Sequence, residues 1–213
     1  IFTVLELIRS IDVDVHFCRV SSERGVQLIR QAKSDGLKVT ADVGVHHLHL
    51  TQIDIDDFNT NSKVSPPFRT QRDREALSLG LIDGTIDCIC SDHTPINEEL
   101  KNLPFAEATP GLMGLELLLP LTLKWGKTNK VALGKVLSLI TYNPSNLIGM
   151  GPAKIAVGNT ADICIFDELE IWQVNASNLF TQFRNTPFYG YELEGRVQQT
   201  IIDGLCVYNK EQN

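Results

Sequence analysis

The chain has 213 residues, 43% of them hydrophobic and 7% aromatic, ordinary for a globular protein and enough to bury a substantial core. Its formal net charge of −7 and pI of about 5.2 argue against nucleic acid or an anionic membrane as the main partner. No apolar run approaches the roughly 20 residues that cross a bilayer, and the start, Ile1 to Arg9, has neither the basic region nor the small-residue cleavage site of a signal peptide.

The absence of an initiator Met reads as a chain that begins inside a larger protein. Phe2–Ser10 has helical apolar spacing, at Phe2, Leu5 and Ile8 or at Val4, Leu7 and Ile8. A strand is expected over Val13–Cys18. Ser21 or Ser22 can cap a helix lined by Val26, Leu28, Ile29 and Ala32 and ended by Gly36. Leu37–Asp42 is a second strand. A polar segment of about 44–69 follows, with Pro66-Pro67, too long for a plain connection and read as a functional loop. Thr70–Asp83 is a helix stopped by Gly84, and Thr85–Ser91 a third strand. This βαβ rhythm implies an α/β fold with parallel strands and crossover helices. Helices are expected over Leu112–Trp125 and Lys130–Thr141, with a turn near Pro144–Ile148. Gly151-Pro152 and Gly158 punctuate a change of character. Ala161–Phe166 is strand-like, and Arg196–Ile202, Asp203-Gly204, Leu205–Tyr208 is a hairpin with a type I′ turn. The expected division is 1–151 and a β module over 152–213. Three parallel strands cannot close a barrel, which takes eight strands and about 250 residues, so part of the sheet is expected to be missing.

The five cysteines, Cys18, Cys88, Cys90, Cys164 and Cys206, are odd in number, lie in apolar runs and form no C-x-x-C pair. They read as buried free thiols of a reducing cytoplasm. Asn175-Ala176-Ser177 matches a glycosylation sequon, read as a chance match because no secretion is expected.

Two segments carry the most chemical information. Ile86–Pro95 ends an apolar run in Asp92-His93, and Val13–Ser22 ends one at Arg19. Polar side chains at the C-terminal ends of parallel strands are where barrel enzymes place their chemistry. Asp92 can bind a metal or act as a general base, or simply cap a loop. His46, His47 and His49 suggest a metal, but adjacent residues of an extended segment point to opposite faces. His46 and His47 should therefore diverge, while His47 and His49 could share a face, and hydrogen-bonded loop roles are the blander reading. Lys63 and Arg69, in a segment stiffened by Pro66-Pro67, can bind an anion or form an ordinary turn into the next helix. Pro110-Gly111-Leu112-Met113-Gly114-Leu115-Glu116 offers backbone N–H groups that could hold a carboxylate. There is no P-loop, dinucleotide fingerprint or nucleophile elbow.

Together these segments resemble dihydroorotase, of the cyclic amidohydrolase superfamily that also holds hydantoinases and allantoinase. Val15–Ser22 resembles that family's strand ending in a metal-binding His, and Asp42–Leu48 its Glu-Val-Thr-Pro-His-His-Leu. Lys63–Arg69 resembles Lys-Val-Asn-Pro-Pro-Leu-Arg, Ser91–Pro95 resembles Thr-Asp-His-Ala-Pro, and Pro110–Glu116 the substrate-binding Pro-Gly-x-x-Gly-Leu-Glu. Ala161-Asp162-Ile163 and the hairpin from Gly195 match its C-terminal module. The resemblance implies the C-terminal part of a TIM-like (β/α)8 barrel plus part of a small β-sandwich. It makes Asp92 the proton-shuttling aspartate, and Ser65, Ile96, Pro110 and Gly111 the counterparts of substrate-binding positions.

The departures shape the functional expectation. Arg19 stands where the family has a zinc-binding His, Ser65 where it has Asn, Ile96 where it has a substrate-contacting His, and Val45 where it has Pro. Arginine stays protonated and has no lone pair for a metal, so Arg19 is expected to pair with Asp92 instead. The first reading is a cytoplasmic pseudoenzyme without a cofactor, a vestigial site, and a hetero-oligomeric role beside aspartate carbamoyltransferase in pyrimidine synthesis. The second is an active zinc enzyme that opens the dihydroorotate ring. A third is a ligand-binding sensor that retains the pocket through Pro110–Glu116.

Overall fold

The computed structural model describes residues 1–151 and 154–212. Pro152, expected to punctuate the chain, lies outside the described residues. The chain forms two compact units, Ile1–Leu118 with Thr181–Pro187, and Leu119–Phe180 with Phe188–Asn213.

The first unit is a parallel α/β arrangement. Helix α1 (Phe2–Ile8) buries only Leu5 and Ile8. Strands β1 (Val15–Phe17), β2 (Val39–Gly44) and β3 (Cys88–Cys90) form a sheet in the order β1-β2-β3. All pairings are parallel, with Val15 opposite Val39 and Asp42 opposite Cys88. Helix α2 (Glu23–Ser34) crosses from β1 to β2. It starts where the Ser22 hydroxyl accepts the Gly25 N–H, and it buries Val26, Ile29 and Ala32. Helix α3 (Gln71–Asp83) crosses from β2 to β3. Thr70 and Asp73 cap it reciprocally, and Gly84 ends it at φ 81°, a left-handed conformation glycine adopts without strain.

Alternation gives the sheet two distinct faces. Ala41 and Val43 are wholly buried. The Asp87 carboxylate accepts the Ala41 N–H and pairs with Lys33 of α2 at 2.8 Å, which marks their side as the helix side. His16, Thr40 and Asp42 lie on the other face, hydrogen-bonded to one another, with Cys90 bonded to Asp42.

The 44–69 segment is less polar in structure than in composition. It opens with a 3-10 turn, Val45–Leu48, whose four side chains are all buried, and continues through short turns at Gln52–Ile55 and Thr60–Ser62. A short helix, α4 (Glu98–Lys101), follows β3.

In the second unit, helix α5 (Leu118–Thr128) starts six residues later than the spacing predicts. Leu112 instead bridges to His93, and Gly114 lies so close to Ser91 that a Cβ would meet the Ser91 carbonyl oxygen at 2.2 Å, so 112–117 is held as a loop. Helices α6 (Leu133–Ser138) and α7 (Tyr142–Leu147) follow. Strands β4 (Ile163–Gln173), β5 (Glu192–Ile202) and β6 (Leu205–Asn209) form one antiparallel sheet. Asp203 and Gly204 have φ 50° and 77°, as a type I′ turn requires. Trp172 anchors this sheet, its indole N–H donating to the Gly195 carbonyl and the Arg196 guanidinium lying over its ring.

The expectation of five buried thiols is corrected. All five cysteines are free, but only Cys88 is buried. Cys90 is half-buried, and Cys18, Cys164 and Cys206 are exposed. Apolar neighbours in sequence do not bury a residue whose face of the strand is uncovered.

Candidate functional site

Beyond the ends of β1 and β3 the backbone turns left-handed at a non-glycine residue, Arg19 at φ 56° and Asp92 at φ 43°. Such residues are uncommon, and they re-aim the side chain at a strand end. These two side chains meet. Arg19 Nη1 lies 3.2 Å from Asp92 Oδ1 and donates also to the Ser65 carbonyl oxygen. The expected Arg19–Asp92 ion pair is therefore present. Burial pushes the Asp92 carboxyl above its ordinary value, and the Arg19 charge works against that rise.

His46 faces the other Asp92 oxygen, with Nε2 3.5 Å from Oδ2. That is too long for a hydrogen bond, and neither His46 ring nitrogen has a hydrogen-bond partner among the described residues. The ring is fully buried beside His47 (centroids 4.5 Å apart) and edge-on to Phe68. Burial holds His46 well below the ordinary histidine value and His47 at about 4, so both are neutral near pH 7. His47 Nε2 donates to the Pro66 carbonyl at 3.1 Å. The expectation that these two rings diverge fails because the segment is a 3-10 turn and not extended. Gly44 makes room for both, since a Cβ there would lie 3.0 to 3.2 Å from the two rings.

The remaining candidates sit around the same strand ends. Ser65 is exposed and touches Arg19 through its backbone. Ile96 and Gly111 are neighbours: a Cβ on Gly111 would come within 3.0 Å of Ile96 Cγ1. Asn185 ties this region together. Its amide oxygen accepts the Ile96 N–H, its amide nitrogen donates to the Gly111 carbonyl, and its backbone carbonyl accepts the Met113 N–H. Pro110 is exposed beside Gly111. The backbone N–H groups of Gly114 and Leu115 both donate to His93 Nδ1 at 3.2 Å, and that of Gly111 to the Lys63 carbonyl. Lys63 Nζ donates to the carbonyls of Phe105 and Ala106, and Arg69 to the Ser21 hydroxyl. These cations hold loops in place. Nothing in local sequence marks Asn185, which lies in an unpatterned stretch 74 residues from Gly111.

The zinc that the family resemblance implies can be tested against these donors. Beside Asp92 the chain supplies a guanidinium, which has no lone pair, and one imidazole at 3.5 Å. Among the described residues the three donors that lie close enough to share an ion are His16, Cys18 and Asp42, and Asp92 is not one of them. Around Asp92 the described residues thus offer two donors, the carboxylate and His46 Nε2, beside a fixed cation, one fewer than the three protein ligands a zinc site takes, so by themselves they do not fit that ion.

Comparison with known proteins accords with this architecture. The profile of the amidohydrolase family matches residues 11–207. A protein named dihydroorotase from Ruminiclostridium cellulolyticum is 41% identical over 198 residues, covering 92% of this chain and 46% of its own length. A dihydroorotase from Geobacter sp. strain M21 is 36% identical over 194 residues, covering 91% of this chain and 46% of its own. The chain thus spans about half the length of the curated relatives it matches. Among solved structures, the L-hydantoinase (dihydropyrimidinase) of Arthrobacter aurescens superposes with a TM-score of 0.88 at 30% identity over 97% of this chain and 47% of that one. The dihydropyrimidinase of Brevibacillus agri reaches a TM-score of 0.91 at 23% identity, over 98% of this chain and 48% of that one, a likeness of fold. The chain is dihydroorotase-like and belongs to the amidohydrolase family.

Proposed function

We propose that the protein to which this chain belongs is a catalytically inactive dihydroorotase-like subunit that assembles with aspartate carbamoyltransferase in the cytoplasm and supports it. In this reading residues 1–151 are the C-terminal portion of a (β/α)8 barrel and 152–213 part of a β-sandwich module. The single observation that carries the loss of activity is the Arg19–Asp92 ion pair. A fixed cation occupies the carboxylate that a hydrolytic site would turn toward metal and substrate, and it repels a second cation. Ser65, Ile96, Pro110 and Gly111 are then vestigial, and the Ile96 side chain has no polar atom with which to hold a carboxylate. The partnership is supported by the resemblance to non-catalytic dihydroorotase homologues that partner this transferase.

Two observations favour a second reading, a zinc-dependent dihydroorotase that hydrolyses the cyclic amide of dihydroorotate to carbamoyl aspartate. Asp92 is retained at its strand end, and the relatives that match at 36% to 41% identity bear the name dihydroorotase. The deciding experiment purifies the full-length protein with and without aspartate carbamoyltransferase of the same organism and measures dihydroorotate ring opening and co-elution. The expected result is no turnover and a stable complex. Turnover abolished by Asp92→Asn would overturn inactivity, and failure to co-elute would overturn the partnership.

A further inference from the structure

We propose that His16, Cys18 and Asp42 form a binding site for a zinc-class divalent ion, separate from Asp92. Their ligand atoms, one imidazole nitrogen, one thiol sulfur and one carboxylate oxygen, all lie within 4.8 Å of one another. A tetrahedral ion bound at about 2.0–2.3 Å holds its donors roughly 3.3–3.8 Å apart. His16 Nε2 and Asp42 Oδ2 stand 2.8 Å apart, so side-chain rotations of about an ångström complete the set. The exposed Cys18 is free to make the larger move.

The surroundings favour an ion more than a plain hydrogen-bonded pair. Metal-bound imidazoles have their second nitrogen fixed by a neighbour, and ligating carboxylates are themselves hydrogen-bonded. His16 Nδ1 lies 2.8 Å from the Thr40 hydroxyl, which can accept a hydrogen bond from Nδ1–H and leave the Nε2 lone pair for an ion. Asp42 Oδ1 is held by the Arg19 N–H at 2.8 Å and the Cys90 thiol at 3.2 Å, which leaves Oδ2 aimed at His16. Among the described residues no Lys or Arg side chain pairs with Asp42; its only ion-pair partner is His16. Mixed nitrogen, sulfur and oxygen donors suit zinc, and the thiolate disfavours magnesium or calcium. Three protein donors also leave a fourth position open, so the class of added ligand is water or a small anion. Burial and the Asp42 charge push the Cys18 thiol up, so binding should release a proton as the ion takes the thiolate.

Cobalt(II) alone, titrated into the metal-stripped full-length protein, tests this. One equivalent should give tetrahedral absorption with a thiolate-to-cobalt charge-transfer band, and zinc should displace it. Cys18→Ser should abolish that band. His16→Gln should weaken binding by about 100-fold or more, beyond the cost of losing a group that only orients a ligand. Zinc should also protect Cys18 of the unaltered protein from alkylation, a readout that needs no variant. Asp92→Asn should leave the band unchanged. Absence of the band, its survival in Cys18→Ser, or unprotected alkylation would overturn the site. Cobalt binding without the band that vanishes in Asp92→Asn would overturn both this site and the metal-free reading of Asp92. The band alone leaves that reading standing.

Discussion

Acid should destabilise the first unit through the buried histidines, and His47 allows a magnitude. Its ring is 3% exposed, and burial lowers its midpoint from 6.5 to about 4. The unfolded chain therefore takes up a proton near pH 6.5 that the folded chain resists until about pH 4. Because the folded value is the lower one, the stabilisation is fully present above pH 6.5 and is lost as pH falls toward 4. At about 1.4 kcal/mol per tenfold in proton affinity, the loss is about 3 kcal/mol. His46 shifts in the same direction and adds to it. The assay is urea unfolding followed by far-UV circular dichroism at a series of pH values, alongside a nuclear magnetic resonance titration of the imidazoles. His47→Gln keeps a donor for the Pro66 carbonyl and removes the titration, so its stability should fall less between pH 6.5 and 4. Equal pH slopes in the two proteins, or a His47 midpoint near 6.5 in the folded state, would refute the reasoning.

Gly114→Ala places a methyl 2.2 Å from the Ser91 carbonyl oxygen, a backbone atom that cannot rotate away; a loss of about 1–3 kcal/mol is expected, and an unchanged urea midpoint would show that the loop yields freely. Arg19→Gln removes the cation that opposes the rise of the Asp92 carboxyl, so the Asp92 midpoint should climb further in a carboxyl-carbon titration; no movement would mean that the pair does not form in solution. Lys101 donates to the Thr60 and Lys63 carbonyls, so Lys101→Met should cost about 1–3 kcal/mol and speed proteolysis within 51–69. Burial also lowers Lys101 from 10.5 to about 8. The unaltered protein should therefore gain stability between pH 8 and 10.5, where the unfolded chain holds the extra proton, and Lys101→Met should not.

The sequence made some elements plain because their signals are local. Thr70 with Asp73 caps a helix, Gly84 stops it, and Asp203-Gly204 turns a hairpin, each within a few residues. The parallel sheet followed from strand and helix spacing. What local pattern could not supply came from contacts distant in the chain. Helix α5 starts late because Leu112 bridges to His93 and Gly114 crowds Ser91, 23 residues away. The histidines at 46 and 47 are buried together by Phe68, which no spacing within His-His-Leu-His reveals. Arg19 and Asp92 were legible as candidates because both end apolar runs. Asn185 and the grouping of His16 with Asp42 were not, since each depends on which strands or loops lie side by side.

The left-handed backbone at both Arg19 and Asp92 bears on how the site reads. Neither residue is a glycine, so each conformation costs of order 1 kcal/mol or more and persists only where surrounding contacts dictate it. At position 19 those contacts are visible. The backbone N–H of Arg19 donates to Asp42 Oδ1, and the next N–H, of Val20, donates to the Asp42 carbonyl. Both bonds use the main chain, so they hold whatever side chain stands at 19. The geometry that aims position 19 at Asp92 therefore does not depend on the arginine side chain. Arg19→His should keep the turn and lose only the cation. Retention of the Asp42–position 19 amide bond in such a variant, seen as slow hydrogen exchange, is the expected outcome. Loss of that protection would mean that the ion pair itself shapes the strand end.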